Sequence, residues 1–142
     1  MSISKEEILR YSKQIILKNI GFLGQKRIFS SKVIVVGIGG LGCPVVLYLA
    51  STGVGNIALV DDDKVSISNL NRQIIFNDKD VGRFKVIQAK KVLNRINKKI
   101  KVDIYKDRLN EKNISKILNN YDIICDCSDN FTTRYLLNDY SL

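Results

Sequence analysis

The chain has 142 residues and a formal net charge of +9, with 45% hydrophobic and 26% charged residues. These proportions are ordinary for a globular protein and argue against intrinsic disorder. The length suits one domain, and no apolar run approaches the roughly 20 residues that span a bilayer. The N-terminal residues lack the uninterrupted apolar segment of a signal peptide, which predicts a cytoplasmic protein with no membrane partner.

The positive charge comes mostly from lysines that are spread along the chain. No basic helix with interleaved aromatic residues accompanies them, so solvated surface lysines are the simpler interpretation and no nucleic-acid partner is predicted, although tRNA stays open. The chain has three cysteines and no histidine. This composition indicates a reducing compartment, and it argues against a His/Cys zinc site and removes the commonest general base. Any chemistry must therefore depend on charge and positioning.

The first 31 residues are predicted to form a helical arm. Ser4 and Glu7 have the spacing of a capping box, and apolar residues follow at helix-compatible intervals, which predicts one helix over 5–18. Gly21 and Gly24 interrupt this pattern. One or two further helical turns are expected at 25–30.

The next segment reads as a strand, a glycine loop, a helix, a second strand and an acid. An apolar run at 33–36 leads into GIGGLG at 37–42, a helical stretch ends near Gly53, and an apolar run at 56–60 leads to Asp61. Glycines permit the tight turn and the close approach of a phosphate, and the helix N-terminus favours an anion. Asp61 stands where dinucleotide folds place the carboxylate that binds ribose. The segment predicts a nucleotide site without deciding between NAD and ATP.

The remaining residues continue the alternation of helices and strands. Predicted elements are a helix at 85–97, a strand at 101–105, a helix near 114–118, a strand at 121–126 and a helix at 132–140. The fold class is therefore α/β, with a Rossmann-like, mainly parallel sheet and flanking helices over 32–142 after the arm of 1–31. The expected strand order is 3-2-1-4. Asp129, just after the fourth strand, would then face the same crevice as Gly39 and Asp61.

Several motifs in order along the chain resemble a single family. They are GIGGLG at 37–42, the aspartates at 61–63, SNLNRQ at 68–73, Lys85, and CSDN at 127–130. Together they resemble the ThiF/MoeB/HesA family of ubiquitin-activating-enzyme-like adenylyltransferases. The resemblance implies ATP-dependent adenylation of the C-terminal glycine of a small ubiquitin-like sulfur-carrier protein with a Gly-Gly tail, of the thiamine or molybdopterin type.

The resemblance also implies roles for individual residues. Arg72 and Lys85 would contact phosphates, Asp129 would bind Mg²⁺, and these three form the predicted catalytic set. The predicted cofactor-binding positions are Gly37, Gly39, Gly40, Gly42, Asp61, Asp63, Asn69, Arg72, Gln73, Lys85 and Lys13. These residue types suit the reaction, because a carboxylate that attacks an α-phosphate brings anions together and the site must neutralise their charge.

Two features depart from the family pattern. Lys13 stands where bacterial members usually carry an arginine that reaches the ATP of a partner subunit in a homodimer, and lysine keeps the charge without the planar fork. Relatives also continue for about as long again, so an incomplete domain is expected. The carrier groove and two zinc-binding CxxC pairs would belong to the missing part, and this chain alone would bind ATP weakly.

Simpler interpretations stay open for each residue taken singly. Arg72 could be a surface arginine, Lys85 a solvated residue of a first helical turn, and Asp129 the cap of the next helix. A non-catalytic nucleotide-binding or dimerisation subunit is the alternative function. An NAD-dependent oxidoreductase is less favoured, because hydride transfer needs neither the two cations nor a magnesium ligand.

Overall fold

A computed structural model describes residues 3–142. This part of the chain contains four strands and seven α-helices. The strands are β1 (Lys32–Val36), β2 (Asn56–Val60), β3 (Lys101–Tyr105) and β4 (Ile123–Asp126). The helices are α1 (Lys5–Arg10), α2 (Ser12–Ile15), α3 (Gly21–Ser30), α4 (Gly42–Thr52), α5 (Lys85–Ile96), α6 (Ile114–Leu118) and α7 (Phe131–Ser141). The alternation of strands and helices confirms the α/β prediction.

The four strands form one parallel sheet in the order β3-β2-β1-β4. This is the predicted order, and it puts the carboxyl ends of β1 and β4 side by side. Val36 at the end of β1 pairs with Val60 of β2 and with Asp126 of β4. The residues that follow these strands therefore meet at one edge of the sheet, where open α/β sheets bind ligands.

Apolar side chains pack on both faces of the sheet. Val35 of β1 packs with Val46 of α4 and Leu93 of α5 on one face. Ile34, its neighbour in the strand, packs on the other face with Leu118 of α6. Alternate strand residues point to opposite faces, so a central parallel strand needs a continuous apolar run to fill both.

The prediction of one helix over 5–18 was wrong, because the helix breaks at Tyr11. This residue is only 2% exposed, its hydroxyl accepts a hydrogen bond of 2.9 Å from Nδ2 of Asn97, and its ring meets Phe29 edge-on at 5.1 Å. Gly53 has a φ of +89°, and a Cβ there would lie 2.8 Å from the Tyr11 ring. The break coincides with the insertion of Tyr11 between residues far along the chain, and these contacts anchor the arm.

The other boundary differences are smaller and have local causes. The helix predicted at 25–30 begins earlier, at Gly21, because Gly24 continues the helix and packs against Ile20 instead of ending it. β4 begins at Ile123, two residues later than predicted, because the N–H of Tyr121 closes a turn on the carbonyl of Leu118.

None of the helices within residues 3–142 combines the length and the apolar character required to cross a membrane.

Candidate nucleotide site

The glycine loop begins where β1 ends, and two of its glycines are required by the packing of the protein itself. Gly37 has a φ of +90°, and a Cβ there would lie 2.7 Å from the carbonyl oxygen of Cys127. A Cβ on Gly42 would overlap the carbonyl of Gly37. The tight turn therefore brings the N-terminus of α4 up to the sheet edge and locks the loop against the segment after β4.

The other two glycines of the loop have room for a methyl group without a clash. A Cβ on Gly39 would meet Nε2 of Gln73 at 3.7 Å, and one on Gly40 would meet the Arg72 side chain at 3.6 Å. Both distances are ordinary van der Waals contacts, so the protein's own packing does not demand glycine here. The absence of side chains leaves a bare backbone surface beside Arg72 and Gln73, which a phosphate could approach.

Asp61 follows β2 and is tied to the glycine loop. Its carboxylate accepts hydrogen bonds from the N–H of Ile38 at 2.7 Å and from the N–H of Asp63 at 2.8 Å. Burial raises the pKa of Asp61 above its usual value, and the two N–H donors and nearby Lys85 act in the opposite direction. The carboxylate is thus fixed beside the loop, where sequence reasoning predicts a ribose ligand.

Lys85 opens α5 and forms an ion pair with Asp63. The distance from its Nζ to Oδ2 of Asp63 is 2.9 Å, and the lysine side chain is 6% exposed while that of Asp63 is 66% exposed. The N–H of Lys85 also donates to the carbonyl of Asp63 at 3.0 Å. The interpretation of Lys85 as a solvated residue is therefore wrong, because its ammonium is buried next to the acidic segment.

The polar segment at 68–73 folds over the glycine loop. Arg72 is exposed, and its guanidinium donates to the carbonyl of Ser68 at 2.9 Å and to the side chain of Asn71 at 3.0 Å. Asn69 accepts a hydrogen bond from the N–H of Ser66 and so shapes the turn. Gln73 is 3% exposed, and its Oε1 has no hydrogen-bond partner among the described residues. A buried amide oxygen without a donor is costly, and a donor from a bound molecule or a water would satisfy it.

Residues that are distant in the sequence line a cleft of about 140 Å³ at the carboxyl ends of the strands. Its lining includes Gly37, Asp61, Asp63 and Asp129. The side chain of Asn130, not that of Asp129, caps α7 by accepting the N–H of Thr133 at 2.9 Å. The alternative interpretation of Asp129 as the helix cap is therefore wrong, and its carboxylate is available to the cleft.

The cleft also contains residues that the sequence analysis did not select. Asp107 and Arg108 line it immediately beyond the end of β3. They could have been predicted in the same way as Asp129, because the carboxyl ends of all parallel strands lie at the same edge of the sheet. Arg108 puts a cation at a cleft where the other charged residues among the described lining are all aspartates.

Lys13 is not brought to this cleft within one chain. It lies on α2, next to Gln14, whose amide donates to the carbonyl of Thr52 at the C-terminal end of α4. The glycine loop lies at the opposite end of α4, about 16 Å away for a helix of this length. Lys13 therefore lies away from the cleft of its own chain.

The donor set of the cleft suits a hard divalent cation. Carboxylate oxygens of Asp61, Asp62 and Asp63 lie within 4.8 Å of one another, and Asp129 lines the same cleft. Oxygen ligands of this kind fit Mg²⁺, which also retains waters and substrate phosphates as ligands.

The chain is similar to several known proteins over nearly all of its length. The chain is 46% identical over 139 residues to a sulfur carrier protein adenylyltransferase of Thermus thermophilus, covering 98% of this chain and 51% of that protein. It is 46% identical to the probable adenylyltransferase/sulfurtransferase MoeZ of Mycobacterium tuberculosis, covering 97% of this chain and 35% of that protein.

A solved structure of Escherichia coli tRNA N6-threonylcarbamoyladenosine dehydratase, TcdA, in complex with ATP superposes with a TM-score of 0.84. The two chains are 28% identical, and the match covers 92% of this chain and 53% of that one. The chain thus spans about a third to a half of the length of these relatives. Residues 11–142 match the ThiF family, and the chain belongs to that family.

Proposed function

We propose that this chain is the ATP-binding part of an enzyme that adenylates the C-terminal carboxylate of a small sulfur-carrier protein. The observation that carries the proposal is the meeting of the glycine loop, Asp61, Lys85 and Asp129 at one edge of the sheet. The names of the adenylyltransferase relatives and the ATP in the TcdA structure support it.

The nucleotide would lie along the glycine loop. Asp61 would accept ribose hydroxyls with the lone pairs that its two N–H donors leave free. The phosphates would pass over Gly40, where a bare backbone and the N-terminus of α4 favour an anion. Arg72 lies above that point, and the buried ammonium of Lys85 supplies a second positive charge.

Charge neutralisation is the main chemical task of such a site. A carboxylate oxygen of the carrier would attack the α-phosphorus of ATP, the bond to the pyrophosphate oxygen would break, and an acyl-adenylate would form without loss of a proton. Arg72 and Lys85 would stabilise the charge on the phosphate oxygens, and preorganised cations of this kind commonly contribute several kcal/mol. Asp129 would hold Mg²⁺, which would act as a Lewis acid on phosphate oxygens.

The resemblance to adenylyltransferases of sulfur-carrier proteins implies that the carrier ends in Gly-Gly. Lys13 lies away from the cleft of its own chain, so a nucleotide role for it requires a homodimer in which it reaches the partner's site. A cytoplasmic location suits an enzyme with three unpaired cysteines.

Pyrophosphate exchange into ATP tests the function directly. The exchange is measured with and without a carrier that ends in Gly-Gly, using this chain and a longer version that covers the full length of its relatives. Carrier-dependent exchange is the expected result, and Arg72→Ala should abolish it, whereas Arg95→Ala, an exposed arginine on α5, should leave it unchanged. ATP binding without exchange by either version would favour a non-catalytic binding subunit. Carrier-independent turnover of NADH would overturn the proposal.

A further inference from the structure

The loop between β4 and α7 is held by a side chain outside the cleft. Asp126 is the last residue of β4, and its Oδ1 accepts hydrogen bonds from the N–H of Ser128 at 3.0 Å and from the Oγ–H of Ser128 at 2.6 Å. Ser128 itself is only 7% exposed. Hydrogen bonds to a carboxylate are shorter and stronger than neutral ones, so this pair fixes the path of the chain just before Asp129.

The rest of the loop is tied by other hydrogen bonds. The N–H of Cys127 donates to the carbonyl of Val36 at 2.8 Å, and the guanidinium of Arg134 donates to the carbonyl of Ser128 at 3.1 Å. Asn130 caps α7. Asp129 differs from its neighbours, because its exposed carboxylate has no hydrogen bond to any described residue while it lines the cleft.

We propose that Asp126 is a positioning residue that presents Asp129 to the metal and phosphates of the bound nucleotide. This inference rests on the proposed function of the cleft. Asp126 is not among the residues that line the cleft, so it acts through Ser128 and the backbone of Asp129. Without its carboxyl oxygen, the segment between Cys127 and Asn130 would lose two of the hydrogen bonds that define its shape.

Two substitutions separate the geometry of Asp126 from its charge. Both hydrogen bonds end on the same oxygen, Oδ1, and an asparagine amide oxygen in that place has two lone pairs and can accept both. Asp126→Asn should therefore keep the hydrogen bonds that hold the loop and remove the charge. Asp126→Ala should lose both the hydrogen bonds and the charge. Asp139→Ala is the matched control, because Asp139 lies on the exposed side of α7 in the same part of the fold.

Amide hydrogen exchange reports on the loop without any activity measurement. The Ser128 amide should be protected in the wild type and should exchange at least about tenfold faster in Asp126→Ala. Asp126→Asn and Asp139→Ala should exchange within about threefold of the wild type. Unchanged Ser128 exchange in Asp126→Ala would overturn the proposal.

Calorimetric titration with ATP and with AMP, each with Mg²⁺ and with a chelator, then tests the consequence. Asp126→Ala should weaken Mg²⁺-dependent ATP binding about tenfold and leave AMP binding within about twofold, and Asp126→Asn should restore ATP binding. A positioning role would be contradicted if Asp126→Ala weakened AMP binding and ATP binding equally, or if Asp126→Asn bound ATP as weakly as Asp126→Ala. A wild type that binds no ATP would defeat the proposed function as well, whereas normal ATP binding by Asp126→Ala would defeat only the role of Asp126.

Discussion

The ammonium of Lys85 lies 2.9 Å from the carboxylate of Asp63, and the two side chains differ sharply in exposure. Lys85 is buried at the first turn of α5, whereas Asp63 faces solvent. Asp63 in turn donates its N–H to Asp61. The pair therefore connects the proposed phosphate-binding cation to the proposed ribose-binding acid.

Lys85→Met tests the phosphate role of this ammonium. Methionine keeps the apolar stem and removes the charge, so ATP affinity should fall about tenfold or more while adenosine affinity stays within about twofold. The free energy of unfolding should change by less than about 1 kcal/mol, because the Asp63 left behind is exposed to solvent. Titration calorimetry measures both ligands, with Lys91→Met on the same helix as the control. An equal loss of affinity for adenosine and for ATP would contradict a phosphate-specific role of Lys85.

The glycines of the loop should respond differently to the same substitution. Gly42→Ala drives a methyl group into the carbonyl of Gly37, so we expect a loss of about 3 kcal/mol or more, or failure to fold. Gly40→Ala makes only ordinary contacts with Arg72 and should change the free energy of unfolding by less than about 1 kcal/mol. It should nevertheless weaken ATP binding several-fold, since the methyl occupies the phosphate path. ATP binding by Gly40→Ala at wild-type strength would rule out that path.

Cys43 should make the protein sensitive to alkaline pH. The side chain is fully buried, and burial raises the pKa of its thiol from 9.0 to about 11. Below pH 9 the thiol is protonated in both the folded and the unfolded chain. As the pH rises from 9 towards about 11, the thiol of the unfolded chain ionises while the buried thiol stays protonated, so the free energy of unfolding falls. The full loss is about 2 to 3 kcal/mol.

Denaturant unfolding under reducing conditions measures this contribution. The cost of Cys43→Ala should be about 2 kcal/mol smaller at pH 10.5 than at pH 8, because the variant lacks the thiol that destabilises the wild type. A cost of Cys43→Ala that stays constant across this pH range would mean that the thiol has the same pKa in the folded and unfolded chains. That result would contradict the prediction.

Tyr11 should be the main anchor of the arm. Tyr11→Ala removes a buried ring that contacts Phe29 and Gly53, and we expect a loss of about 3 to 5 kcal/mol, with faster proteolysis near Lys13. Tyr11→Phe removes only the hydroxyl, and the Asn97 amide keeps its second acceptor, the carbonyl of Ala50. Its cost should therefore be about 1 kcal/mol. Similar losses for the two variants would mean that the hydroxyl, not the ring, carries the anchoring.

Much of the fold could be predicted because its signals are local. The strands at 56–60 and 101–105 have the predicted bounds, since an apolar run in the first and polar–apolar alternation in the second mark each strand locally. The break at Tyr11 could not be read in this way, because it depends on Asn97 and Phe29, which are distant in the sequence. The cap of α7 was ambiguous for a related reason, as Asp129 and Asn130 are both good capping residues and only the backbone geometry selects one.

The sequence by itself determined the glycine loop, the order of the strands and the charged residues that follow them, because chain connectivity and side-chain periodicity are written locally. Tertiary packing decided which charges meet: Lys85 pairs with Asp63, and Asp61 binds the glycine loop. It also buried the Gln73 amide oxygen and put Asp129 in the lining of the cleft, without a hydrogen bond between its carboxylate and any described residue. These outcomes depend on distances and burial between residues far apart in the chain, which exist only once the sheet and its helices have packed.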